Sequence, residues 1–148
     1  MLSNERVTAF LATTQPGRAK RFYRDTLGLR LVSDDQFAIV FDCVGVQLRI
    51  QKVETLLPHA FTSLGWQVTS IRRSVSALAK RGIVFERHGF IEQDGLGVWK
   101  APSGAKVAWF KDPDGNLLSL TEAGLPDKAV QPARLGARQR AAKRATKN

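Results

Sequence analysis

The feature that most constrains this 148-residue chain is an internal repeat. A strand-like run at 6–13 leads through Thr14-Gln15-Pro16 into a helical pattern, where Pro in the first turn loses no hydrogen bond. Ala19, Phe22, Tyr23 and Leu27 recur at the spacing of one buried helix face, and Gly28 suits the left-handed residue that closes a helix. Three short strands follow, at 29–33, 37–42 and 46–53, with turns at Asp34-Asp35 and Val44-Gly45. The order then begins again. A strand at about 62–69 precedes Ser70 as a helix cap, and the helix buries Ile71, Val75, Leu78 and Ala79 and stops at Gly82. Strands at about 84–91, 105–111 and 116–122 follow, with 92–101 as a loop or extra hairpin. Asp112-Pro113-Asp114-Gly115-Asn116 is a hairpin turn signal that falls seventy positions after Asp42-Cys43-Val44-Gly45.

The pattern predicts an α+β fold of two tandem βαβββ modules, at about 6–54 and 61–122, within a domain spanning 1–125. A module of about 55 residues encloses too little interior to be secure alone, so the two are expected to pack together. Cys43 is the only cysteine, which excludes an internal disulfide and a multi-cysteine zinc site; it is expected as a small buried residue. The formal net charge is +10, but seven basic residues against the single acid Asp127 lie in 126–148. That segment reads as a basic, disordered tail with few large apolar side chains, and it has no aromatic residue on which a base could stack. Nucleic acid is therefore not the expected partner. No apolar run reaches the 18 or so residues of a membrane helix, and Met1–Arg6 lacks a signal-peptide core, so a cytoplasmic protein with no membrane contact is expected.

Two segments resemble a known family. Ala19-Lys20-Arg21-Phe22-Tyr23-Arg24-Asp25-Thr26-Leu27-Gly28-Leu29 is similar to the first-helix signature of the vicinal oxygen chelate superfamily, and Ala108-Trp109-Phe110-Lys111-Asp112-Pro113-Asp114-Gly115-Asn116 is similar to its closing hairpin. That superfamily contains glyoxalase I, extradiol dioxygenases, and fosfomycin and bleomycin resistance proteins. The resemblance covers roughly 6–122 and implies a half-closed mixed sheet around a cavity. It implies a fold more than a reaction, because both motifs serve packing and turn geometry. In metal-dependent relatives, ligands come from the first and last strands of each module. The matching positions here are Thr8, Arg49, Ser63 and Ser119. None is a carboxylate or imidazole, and an arginine repels a cation, so no metal or other cofactor is expected. A divalent metal held by His59, His88, Glu86, Glu92 and Asp94 is the alternative.

Strand alternation aims Thr8 and Phe10, and also Gln47, Arg49 and Gln51, into the cavity, while Ala9, Leu11, Leu48 and Ile50 face the helices. On the last strand Leu118 and Leu120 pack outward and leave Leu117, Ser119 and Thr121 inside. A guanidinium in such a cavity calls for an anion or a carbonyl-rich ligand, unless it pairs with a neighbouring carboxylate such as those of Glu92-Gln93-Asp94. Phe10, Trp66, Trp99 and Trp109 are candidate stacking walls. Trp66 points toward the helices by alternation, whereas Trp99 beside Gly95 and Gly97 suits a cavity lid. His88, read as a strand residue, and Glu92 are the candidate acid–base pair. The leading expectation is a small-molecule binding protein, a homodimer, that sequesters an anionic or aromatic compound through Thr8, Gln47, Arg49, Gln51, Ser63, Trp99 and Ser119. The alternative is an enzyme of lyase, isomerase or dioxygenase type with a non-standard metal or acid–base site.

Overall fold

The structure, a computed structural model, describes residues 1–124. The expected basic tail at 126–148 lies outside the described residues. After a single 3₁₀ turn at Leu2–Asn4, the elements are β1 (Thr8–Thr13), α1 (Pro16–Arg21), β2 (Arg30–Asp34), β3 (Ala38–Cys43), β4 (Val46–Lys52), β5 (Leu64–Gln67), α2 (Ile71–Lys80), β6 (Trp99–Lys100), β7 (Lys106–Lys111) and β8 (Leu117–Glu122). They build two four-stranded mixed sheets, ordered β1-β4-β3-β2 and β5-β8-β7-β6. In each sheet the first strand pairs parallel with the last strand of its module, and the other pairings are antiparallel. The tandem α+β reading of the sequence is the architecture found.

Both faces of the alternation pattern are visible in the burial. Leu11, Leu48 and Ile50 from the first sheet join Ala108, Phe110, Leu118 and Leu120 from the second in one hydrophobic cluster, with Tyr23, Ile71 and Val75 supplied by the helices. Ser70 caps α2 by accepting a hydrogen bond from the Arg73 N–H, and the Glu122 carboxylate takes the Ile71 N–H at 2.8 Å. These two acceptors satisfy amide groups that a helix start leaves without partners. The modules are also joined by polar contacts. The Tyr23 hydroxyl donates to Asp112 Oδ2 at 2.6 Å, the Asn116 side-chain amide donates to Asp112 Oδ2 and the Ala12 carbonyl, and Asp114 takes the Thr14 N–H and both threonine hydroxyls of Thr13 and Thr14. The closing hairpin thus does two things, turning the chain and fastening module two to the first strand and helix of module one.

Several expectations need correction. The helix expected to run to Thr26 is α-helical only to Arg21 and continues as a wider π-turn over Phe22–Thr26. That extra residue per turn keeps both Phe22 and Tyr23 against the core. The strand expected at 84–91 is absent: only Phe85 bridges Phe110, and the Glu86 N–H bonds the Trp109 carbonyl. The edge of the second sheet is completed instead by β6, inside the segment read as a loop or extra hairpin. Ala79 is exposed, so α2 buries a narrower face centred on Ile71 and Val75. Cys43 is half-buried, and desolvation pushes its thiol pKa upward.

Candidate functional site

The non-helical face of the first sheet follows from its register. Thr8 pairs with Gln47, Phe10 with Arg49 and Ala12 with Gln51, and β3 continues these rows with Asp42, Val40 and Ala38. Since Leu48 and Ile50 are fully buried, alternation puts Gln47, Arg49 and Gln51 on the opposite face, as expected from the sequence. Gln47 and Gln51 are exposed while Arg49 is half-buried, next to a Phe10 ring that is 55% exposed. Among the described residues, none of the five ion pairs involves Arg49. Its charge does reach Asp35. That carboxyl is held below its ordinary value first by the Ala38 and Phe37 N–H groups and, more weakly, by Arg49 and Lys52.

A second group sits on the corresponding face of the other sheet. Here Gly65, Ser119 and Trp109 form one row, and Gln67, Thr121, Val107 and Trp99 the next. Ser119 is buried. The Trp99 and Trp109 rings lie 6.0 Å apart, His88 meets Trp109 edge-on at 5.1 Å, and Phe90 packs 5.6 Å from His88. The Trp109 indole N–H donates to Thr62 Oγ1 at 3.1 Å. Trp99 is therefore a strand residue packed on a neighbouring indole, which corrects its expected role as a lid. Thr8, the first residue of β1, and Ser63, which immediately precedes β5, are exposed, and the Ser63 N–H bonds the Leu117 carbonyl.

The loop over 86–98 departs further from expectation. His88 lies outside any strand, with its N–H bonded to Gln93 Oε1, while Gln93 Nε2 donates to the carbonyls of Glu86 and Gly97. Asp94 Oδ1 accepts from the Leu96 and Val98 N–H groups at 2.9 Å each. Gln93 and Asp94 are thus committed to their own turn, and among the described residues no ion pair joins the triplet to Arg49. Glu92 is exposed, and among the described residues no hydrogen bond or ion pair joins it to His88. Sequence reasoning gave Gln93 no role beside its two acidic neighbours and placed Phe90 in the strand expected at 84–91, because the bracing of this loop exists only once it is folded.

The family's metal positions can be tested on the side chains present. Thr8, Ser63 and Ser119 offer neutral hydroxyls and Arg49 a cation, a set unsuited to a divalent ion. The alternative donors do not assemble either: among the described residues no three of His, Cys, Asp and Glu stand close enough to hold a metal, and the His59 ring stacks on Phe61 at 4.7 Å. The donor sets present therefore do not fit a metal centre. Surface clefts lie elsewhere. One of about 350 Å³ runs beneath α2 between Leu27, Trp66 and Phe110, and one of about 780 Å³ lies by Ser70, Asp94 and Lys106; Arg49, Ser119 and Trp99 line neither. No helix among the described residues is long and apolar enough to cross a membrane.

Comparison with solved structures returns the same architecture. A member of the glyoxalase/bleomycin resistance protein/dioxygenase superfamily from Sphaerobacter thermophilus is 22% identical, with a TM-score of 0.64 over 82% of this chain and 99% of that one. Lactoylglutathione lyase from Agrobacterium tumefaciens is 16% identical, with a TM-score of 0.64 over 82% of this chain and 96% of that one. A glyoxalase/bleomycin resistance protein/dioxygenase from Nocardioides is 20% identical, with a TM-score of 0.64 over 85% and 87% of the two chains. At these identities the likeness shows the fold alone. No curated protein matches the chain. The family model of the Glyoxalase/Bleomycin resistance protein/Dioxygenase superfamily matches residues 6–120, and with that coverage and the two signature segments the chain belongs to this superfamily.

Proposed function

We propose that this chain is a small-molecule binding protein of the superfamily, and that it holds an anionic or aromatic compound on the sheet face that carries Arg49. One observation supports the reading above the others: a half-buried guanidinium sits between Gln47 and Gln51 and beside an exposed phenyl ring, with no carboxylate in ion-pair range among the described residues. Arginine so placed offers a planar fork of donors to a carboxylate or phosphate, and Phe10 offers a π-face alongside it. Thr8, Gln47 and Gln51 surround the anchor with neutral hydrogen-bonding groups. Ser119, Ser63 and Trp99, on the second sheet, complete the proposed ligand-facing set, with Trp109 as the wall behind Trp99. Binding needs neither a metal nor an acid–base pair, which suits a donor set that fits no metal. A homodimer in the cytoplasm is part of the same reading.

The enzyme alternative rests on a non-standard metal site or on His88 and Glu92 as an acid–base pair, and no contact among the described residues favours it. The test is native mass spectrometry of freshly purified protein, followed by calorimetric titration with any organic compound that is released. A retained anionic or aromatic compound, bound at least tenfold more weakly by Arg49→Ala and recovered in part by Arg49→Lys, is the expected result. Stoichiometric metal, or ligand affinity that ignores Arg49→Ala, would overturn it.

A further inference from the structure

The outward face of α2 bears a charge pattern that ligand binding at Arg49 does not use. The helix buries Ile71 and Val75, and its other side presents the exposed Arg72, Arg73 and Lys80, with the exposed Arg81 just past its end and donating to the Thr26 carbonyl at 2.9 Å, around a hollow of about 570 Å³ shared with Ser76 and Ala77. No acidic residue occurs in 71–81, and none of the five ion pairs among the described residues involves these four cations. The balance of the rest is telling. Residues 1–125 contain sixteen basic and twelve acidic residues, so once these four are set aside, twelve of each sign remain. These four cations alone equal the net charge of +4 carried by residues 1–125. It is also separate from the excess in 126–148.

We propose that this face of α2 docks the phosphate backbone of a nucleic acid, without base specificity. The two pairs of cations are separated by eight residues, about 12 Å along a helix axis. That distance matches three to four nucleotide steps of about 3.4 Å on one strand, so both pairs can meet phosphates of the same strand. Like charges crowded on one helix raise the energy of the free chain, and phosphates relieve that repulsion while releasing condensed counterions. A lipid surface fits less well. The large apolar residues of α2 face the core, which leaves the helix no apolar face to sink into the acyl boundary.

The experiment uses the full chain and a short fluorescein-labelled DNA duplex, with anisotropy read between about 50 and 200 mM salt. Four neutralised phosphates give a log–log salt slope contribution of about −3.6, or about 150-fold in affinity across that range. Arg72→Gln/Arg73→Gln/Lys80→Gln, whose sites are exposed, is expected to flatten the wild-type slope by about 2.7, and Arg72→Lys/Arg73→Lys to preserve it. Circular dichroism melts of both variants report that the fold is kept. Neutralising Arg138, Arg140 and Lys143 in the tail is expected to leave the helix contribution in place. A glutamine variant that flattens the slope by less than one unit overturns the proposal. So does tighter retention on phosphatidylserine-containing vesicles than on the duplex at equal salt, lost with the same substitutions, which would give the surface to a lipid headgroup.

Discussion

Tyr23→Phe removes one oxygen from the interior and tests how the modules are fastened. The tyrosine is fully buried, and its hydroxyl donates to Asp112 Oδ2 at 2.6 Å. That carboxylate is itself 5% exposed and also receives the Asp114 N–H, the Asn116 N–H and the Asn116 side-chain amide. A hydrogen bond to a buried charge is worth about 1.5–3 kcal/mol, and the phenyl ring keeps the packing, so a loss of about 2 kcal/mol in urea unfolding is expected at neutral pH. The pH dependence sharpens the test. Burial first, and then the Asp112 charge, push the Tyr23 pKa far above its ordinary value of 10.0. In the unfolded chain the phenol ionises near pH 10, while the folded state keeps its proton. The unfolded state then binds fewer protons, so Tyr23 contributes stability that is fully present below pH 10 and declines above it, by about 1.4 kcal/mol per pH unit. Phenylalanine has no such titration. The gap between wild type and Tyr23→Phe is therefore expected to narrow by about 1.4 kcal/mol on going from neutral pH to pH 11. A gap that stays constant to pH 11, or a neutral-pH cost below about 0.5 kcal/mol, refutes the argument.

Three further outcomes follow from particular contacts. A Cβ on Gly65 would lie 2.5 Å from Ser119 Oγ, so Gly65→Ala is expected to cost about 1–3 kcal/mol by chemical denaturation, with Ser119→Ala recovering part of it in a double-mutant cycle. Val44 occupies φ 51° ahead of Gly45 at φ 84° in the two-residue turn between β3 and β4, a conformation that suits Asn far better than a β-branched side chain. Val44→Asn is expected to raise stability by about 1 kcal/mol in the same assay. Gln93→Ala strips three hydrogen bonds from the 86–98 loop, and faster amide exchange at His88, whose N–H Gln93 accepts, with little change in β3 and β4, is the expected signature.

Much of the fold was legible in the sequence because it is written in local chemistry. Gly28 and Gly82 do occupy positive φ at 76° and 92°, and the apolar alternation in β1 and β4 is the alternation of the buried face, while β8 is buried on both faces from Leu117 to Leu120. The second module was harder to read. Val84 and Phe85 look like strand residues, yet Gln93 and Asp94 collect the backbone groups of 86–98 into a braced loop, a side-chain satisfaction of the backbone that strand propensity does not encode. The candidate site was half legible. Alternation puts Arg49 and Gln47 on the face opposite the core, because that depends only on Leu48 and Ile50 being buried. The packing of Trp99 on Trp109 was not, since two adjacent glycines suggest mobility while the register of β6 on β7 fixes the ring. The link from Tyr23 to Asp112 joins residues 89 positions apart, and only the folded pair of modules brings them together.

The way the outer sheet edges are built limits how copies of this chain can meet. The outermost strand of the second sheet is two residues long, and that of the first is interrupted by a register shift at Leu31–Ser33 and flanked by the charged Arg30 and Asp34. A neighbour pairing with β2 or β6 finds no continuous row of free amide and carbonyl groups to copy, whereas β1 and β5 form the opposite edges. Strand addition is discouraged at these two rims, which leaves β1, β5, the sheet faces and the helices as the surfaces through which copies of the chain can meet.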